Sequence, residues 1–132
     1  MTDSPIRILI ADDHALVREG IRRVLDEDPG FDVVAEASDG RKALESIEEM
    51  NPDVAILDIS MPELSGLEVA RRLREERPAV KILILSMHDE SEYVMRAVHA
   101  GAAGYLLKDD AGPALLRQAV RAVHAGDAYF SP

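Results

Sequence analysis

Five positions in this 132-residue chain carry side chains suited to a metal ion or a phosphoryl group: the pair Asp12-Asp13, then Asp58, Ser86 and Lys108. Each closes or directly follows a short apolar run. Three carboxylates within reach of one another repel, so one stays protonated or a cation sits among them. Oxygen ligands suit Mg2+ better than zinc, and Mg2+ takes one or two carboxylates together with waters and a phosphate. A carboxylate such as Asp58 can also act as nucleophile and form an aspartyl-phosphate. Lys108 offers phosphate a point charge, and the Ser86 hydroxyl offers a hydrogen bond. Phosphoryl transfer depends largely on positioning and charge neutralisation, so this small set is chemically sufficient. Taken singly, each residue has a plainer use, and Asp58 alone would equally well open a turn.

The surrounding pattern decides whether these groups can meet. Ile6–Ala11 is rich in Ile and Leu and stops at Asp12, which reads as a strand. Val17, Ile21, Val24 and Leu25 then mark one face of a helix, with Arg18, Arg22 and Arg23 toward solvent, and Pro29-Gly30 ends the segment. Phe31–Ala37 is a second strand, and Ala43, Leu44, Ile47 and Met50 are the apolar stripe of a helix over Gly40–Met50. Val54–Asp58 is a continuous apolar run introduced by Asn51-Pro52, the mark of a strand buried on both faces. After a loop over residues 59–64, Ser65 and Glu68 have capping-box spacing for a helix that ends before Pro78. Lys81–Ser86 is a strand; Asp89 and Glu92 repeat the capping spacing, and Val94, Ala97 and Val98 give the next helix its buried face as far as Gly101. Residues 103–107 form the last strand, ending on Lys108. Pro113 and Gly126 bracket a final helix with Leu116, Ala119, Val120 and Val123 inward.

Five strands alternating with five helices predict an α/β fold with a parallel sheet covered on both faces. In such a sheet the carboxyl ends of all strands share one edge, where ligands bind, and that edge collects Asp12, Asp13, Asp58, Ser86 and Lys108. The length suits one domain with a continuous core. Cysteine is absent, which removes disulfides and thiolate metal sites, and the net charge of −10 repels polyanions such as DNA. The first apolar run is too short for a signal peptide or a membrane span, so a cytoplasmic protein with no membrane partner is the default expectation. Glycine spacing fits neither a P-loop nor a dinucleotide fingerprint. His14, His88, His99 and His124 have no metal-ligand spacing and read as surface or cap residues.

Asp12-Asp13, the run Leu57-Asp58-Ile59-Ser60-Met61-Pro62 followed by Gly66, Ser86 and Lys108 together resemble the receiver domain of two-component response regulators. Ser86-Met87-His88-Asp89 and Gly104-Tyr105-Leu106-Leu107-Lys108-Asp109 resemble its NarL/FixJ branch. The resemblance implies a flavodoxin-like receiver fold with strand order 2-1-3-4-5. It implies that Asp58 accepts a phosphoryl group from a sensor histidine kinase. Asp13, Asp58 and the backbone carbonyl of Ser60 would hold Mg2+, with Asp12 acting through a water. Lys108 would pair with phosphoryl oxygens, while Ser86 would move toward them and draw Tyr105 inward, coupling the site to the surface of the fourth helix, fifth strand and fifth helix. Ser60 and His88 stand where the family tunes the lifetime of the phosphoryl group.

Many receivers have a cis-proline after the lysine; Asp109 stands there in this chain, so a trans bond is expected. Residues 1–126 would form the receiver. Residues 127–132 would begin a linker to a C-terminal helix-turn-helix domain not in this chain, the route by which such a regulator reaches DNA. The family also suggests homodimerisation on phosphorylation, with the first and last helices as the candidate surface. Such a receiver shares in its own phosphorylation and dephosphorylation and turns over no separate substrate. Two other classes stay open at this level: a Mg2+-dependent phosphohydrolase with Asp58 as nucleophile, although position 60 is Ser where a second acid is common, and an interaction module that keeps the fold without being phosphorylated.

Overall fold

The computed structural model describes residues 4–130. Strands β1 (Ile6–Ala11), β2 (Phe31–Ala37), β3 (Val54–Asp58), β4 (Lys81–Ser86) and β5 (Gly104–Leu107) alternate with helices α1 (Ala15–Asp26), α2 (Gly40–Met50), α3 (Gly66–Glu76), α4 (Ser91–His99) and α5 (Pro113–His124). All strand pairs are parallel, in the order β2-β1-β3-β4-β5-β6. The sixth strand, β6 (Tyr129–Phe130), pairs with Gly104 and Tyr105 at the sheet edge. The sequence placed these two residues beyond the last helix, in a linker; two residues carry no periodicity, and only their partner strand makes them a strand.

The apolar strands supply two cores because side chains alternate across a sheet. Ile8, Ile10, Val54, Ile56, Leu83 and Leu85 pack against α1 and α5. Leu9, Ala11, Ala55, Leu57, Ile82 and Ile84 pack against α2, α3 and α4. At roughly 25 cal/mol per Å2 of apolar surface removed from water, these two layers are the main source of stability. They fix the strand register and, with it, the edge where the strands end.

The helix starts divide the sequence-based expectations. Ser65 caps α3 as expected, its Oγ accepting the Glu68 N–H at 3.1 Å, but the Glu68 carboxylate turns outward to Arg71 instead of completing the reciprocal bond. Asp89 is not the cap of α4: Glu90 holds that position and makes no side-chain capping bond. Val98 is 43% exposed, so the inward face of α4 is narrower than its apolar spacing predicts, with Ala97 its buried residue. Tyr93 and Val94 pack partly buried against the core beside Ala97, while Met95 and Val98 are left outside. Pro113 is at the start of α5, and Gly126, just past its end, adopts φ +94°. Among the described residues no peptide bond is cis, so Lys108-Asp109 is trans as expected.

Candidate functional site

The acids, the hydroxyl and the lysine lie at the carboxyl edge of the sheet because the four strands that carry them, β1, β3, β4 and β5, end there in register. Ala11 pairs with Leu57, Asp58 with Leu85, and Ser86 with Leu107. Asp12, Asp58 and Lys108, far apart in sequence, thereby come together. The Lys108 ammonium is 2.8 Å from Asp12 Oδ2 and 3.4 Å from Asp58 Oδ2, and its side chain is largely buried. Asp12 is 1% exposed and Asp58 6%, while Asp13 stands at the rim.

The loop after β3 fixes Asp58 from behind. The Gly66 N–H donates to the Ile59 carbonyl at 2.9 Å, and a Cβ on Gly66 would run into the carbonyl oxygen of Asp58. Glycine is required there for close approach of the backbone. Ser60 is exposed, and its N–H donates to Asp58 Oδ1 at 3.4 Å.

Burial pushes the Asp58 carboxyl above the ordinary carboxylate value of 3.8, and the neighbouring Asp12 pushes it further, against the pull of Lys108. Burial disfavours the charge on Lys108, but Asp12 and Asp58 outweigh it and the net shift is upward. One ammonium among these carboxylates leaves negative charge in excess. Asp12 Oδ2 is buried without a hydrogen bond of good geometry; the ammonium beside it supplies charge rather than an aligned donor. Ligand atoms of Asp12, Asp13, Asp58 and also His14 lie within 4.8 Å of one another. A crowded cluster of carboxylates whose buried Asp12 Oδ2 is met only by an ion-pair contact suits a hard, hydrated dication.

Ser86 and Tyr105 form a neighbouring group rather than part of this contact. The buried Ser86 Oγ accepts the His88 N–H at 3.0 Å. Tyr105 is 3% exposed, and its hydroxyl donates to the His88 carbonyl at 2.6 Å. The ring is therefore already inward, and burial raises its phenol. The His88 ring stacks on Tyr93 with centroids 4.1 Å apart.

His14, read from the sequence as a surface or cap residue, does hold the N-cap position of α1 and is exposed, but the structure also sets its ring against the acids. Its Nδ1 is 3.0 Å from Asp13 Oδ1 and 3.3 Å from Asp12 Oδ1. A search for spaced His ligands misses it; the available signal was the contiguous Asp12-Asp13-His14, where the chain turns from strand to helix.

The family comparison agrees with this architecture. Residues 8–121 match the response regulator receiver domain, and the chain belongs to that family. It falls in the NarL/FixJ-type branch. It is 46% identical over its whole length to the transcriptional regulatory protein DegU of Brevibacillus brevis, covering 56% of that protein. It is 42% identical over 128 residues, 97% of the chain, to the nitrate/nitrite response regulator protein NarP of Escherichia coli (strain K12), covering 59% of it. The chain thus spans little more than half the length of these curated relatives. Among solved structures, the signal receiver domain of the putative response regulator NarL from Mycobacterium tuberculosis superposes with a TM-score of 0.90 at 40% identity, over 94% of this chain and 99% of that one.

Proposed function

We propose that the chain is a phosphorylation-operated switch of a two-component system, with Asp58 as the acceptor. The observation that carries this reading is Asp58 itself: a buried carboxylate at the end of β3 with the Lys108 ammonium 3.4 Å away and Asp12 and Asp13 beside it. Asp13, Asp58 and the Ser60 carbonyl would hold Mg2+, with Asp12 acting through a water; when bound, the ion neutralises charge on the phosphoryl oxygens. The donor is a phosphohistidine on a sensor histidine kinase. An Asp58 oxygen attacks phosphorus, the P–N bond breaks, and its electron pair leaves with the imidazole. Lys108 exchanges part of its contact with Asp12 and Asp58 for a phosphoryl oxygen, and the Ser86 hydroxyl turns from the His88 N–H toward another. That exchange loosens the loop beyond β4, where Tyr105 is latched to His88. The switch draws its free energy from contacts that exist only in the phosphorylated state. Ser60 and His88, beside this path, tune how long the phosphoryl group survives.

Residues 1–126 form the switching unit in this reading. From residue 127 the chain leads through β6 toward a DNA-binding domain outside it, a view supported by the greater length of the relatives. Phosphorylation promotes a homodimer that controls transcription from the cytoplasm, and the protein has no separate turnover substrate. Among the described residues no helix is long and apolar enough to cross a membrane.

The test is to incubate the protein and Asp58→Asn with acetyl phosphate, with and without Mg2+, and to record intact masses in mild acid. One labile phosphoryl adduct that needs both Asp58 and Mg2+ is expected. An adduct of equal yield on Asp58→Asn would remove Asp58 as the acceptor.

A further inference from the structure

The contacts of the His14 ring are to the acidic pair and not to the helix it begins. His14 holds the N-cap position of α1, yet its side chain makes no capping bond to the helix, and the ring is 69% exposed. The backbone nevertheless holds it in place: φ −98° and ψ 111° make the residue extended, and its N–H donates to Asp12 Oδ1 at 2.9 Å. The ring is thereby kept against the acidic pair, with Nδ1 3.0 Å from Asp13 and 3.3 Å from Asp12. The same nitrogen lies within 4.8 Å of the carboxylate oxygens of Asp12, Asp13 and Asp58, so the donors converging on this edge are not all oxygen.

We propose that His14 is a metal-specificity residue, adding an imidazole nitrogen that biases the acidic site toward first-row transition dications of the Co2+ and Ni2+ kind relative to Mg2+. The inference rests on the reading that this cluster is a dication site. Its physical basis is ligand chemistry. Carboxylate, carbonyl and water oxygens suit Mg2+, whereas imidazole suits the later first-row metals, whose affinity for a nitrogen-containing site rises along the series. Mg2+ also parts reluctantly with its waters and is typically held by few protein groups. An imidazole therefore adds more to the binding of Co2+ than to that of Mg2+. The carboxylates of Asp12, Asp13 and Asp58, in excess of the single Lys108 ammonium, make the site a dication site; the exposed His14 at its rim sets which dication it favours.

The test is calorimetric titration of the intact chain with Mg2+ alone and with Co2+ alone, for the wild type, His14→Ala and, at an exposed histidine near the end of α5, His124→Ala. The Co2+-to-Mg2+ affinity ratio is expected to fall about tenfold or more in His14→Ala, the size of effect that loss of a metal-site partner produces. His124→Ala should leave the ratio unchanged. In the Co2+-loaded wild type, NMR should show a strongly shifted imidazole proton resonance that is absent from His14→Ala and present in His124→Ala. An unchanged ratio in His14→Ala, or persistence of that resonance, would overturn the proposal while leaving the dication site in place. Failure of the wild type to bind either ion would overturn both. Because His14 is exposed, the variant should melt with the wild type in the absence of metal, and that control separates lost ligation from lost fold.

Discussion

The β3–α3 and β4–α4 junctions stand side by side at the carboxyl edge of the sheet and are built in opposite ways. After β3, Gly66 presses onto the Asp58 carbonyl, its N–H is bonded to Ile59, Ser65 caps the helix, and α3 buries Val69, Ala70 and Leu73. After β4, Met87 is 65% exposed, α4 starts without a side-chain cap, and Ala97 is the buried residue of the helix while Met95 and Val98 face solvent. The difference separates two tasks. The acceptor carboxylate sits where the backbone is fixed on several sides, as chemistry that depends on positioning requires. The segment that would respond sits where few apolar contacts hold it, at the low end of local stability.

The sharpest way to break this contrast is Gly66→Ala. The new methyl group meets backbone rather than a flexible side chain, so the expected loss is about 3 kcal/mol, read as a lower denaturation midpoint. A variant as stable as the wild type would show that the β3–α3 junction is not the fixed one. Hydrogen exchange sharpens the other half: amides of α4 are expected to exchange at least about tenfold faster than those of α3, a difference of about 1.4 kcal/mol in local opening. Equal protection of the two helices would dissolve the comparison. Capping provides a smaller contrast. Ser65→Ala should cost about 1 kcal/mol, whereas Asp89→Ala should stay within about 0.5 kcal/mol, because only Ser65 accepts a capping bond.

The smallest effect concerns charge inside the fixed junction. Asp58 has a folded-state value above its ordinary 3.8 because burial and Asp12 disfavour its charge. Between these two values the folded chain binds more protons than the unfolded one, so the contribution of Asp58 to stability falls as pH rises through that window. Without Mg2+, the melting temperature of Asp58→Asn should therefore gain on the wild type as pH rises from about 4 and then hold a constant lead. A lead that does not vary with pH would mean that Asp58 is not strained by its charge.

The fold was largely legible because its signals are local. The β3 run and its terminal Asp58, the Ser65 cap, and the Pro113 and Gly126 boundaries each depend on a few neighbouring residues, and the structure has them where the pattern puts them. Where one apolar stripe had to choose its neighbours, the pattern was insufficient. Val98 has the spacing of a buried residue, but α4 turns Ala97 rather than Val98 into the core. Asp89 has the spacing of a cap, but the loop delivers Glu90 to that position.

By itself, then, the sequence determined the alternation of strand and helix and the polar groups that close or follow β1, β3, β4 and β5, since hydrophobic period and turn chemistry act within a few residues. Only the tertiary structure decided that Lys108 reaches both Asp12 and Asp58, that Tyr105 points inward to His88, that Tyr129 and Phe130 add a sixth strand, and that His14 stands against the acids. These are matters of register, helix placement and ring direction. They are set by packing between segments distant in sequence, or by one backbone turn whose direction no residue type announces.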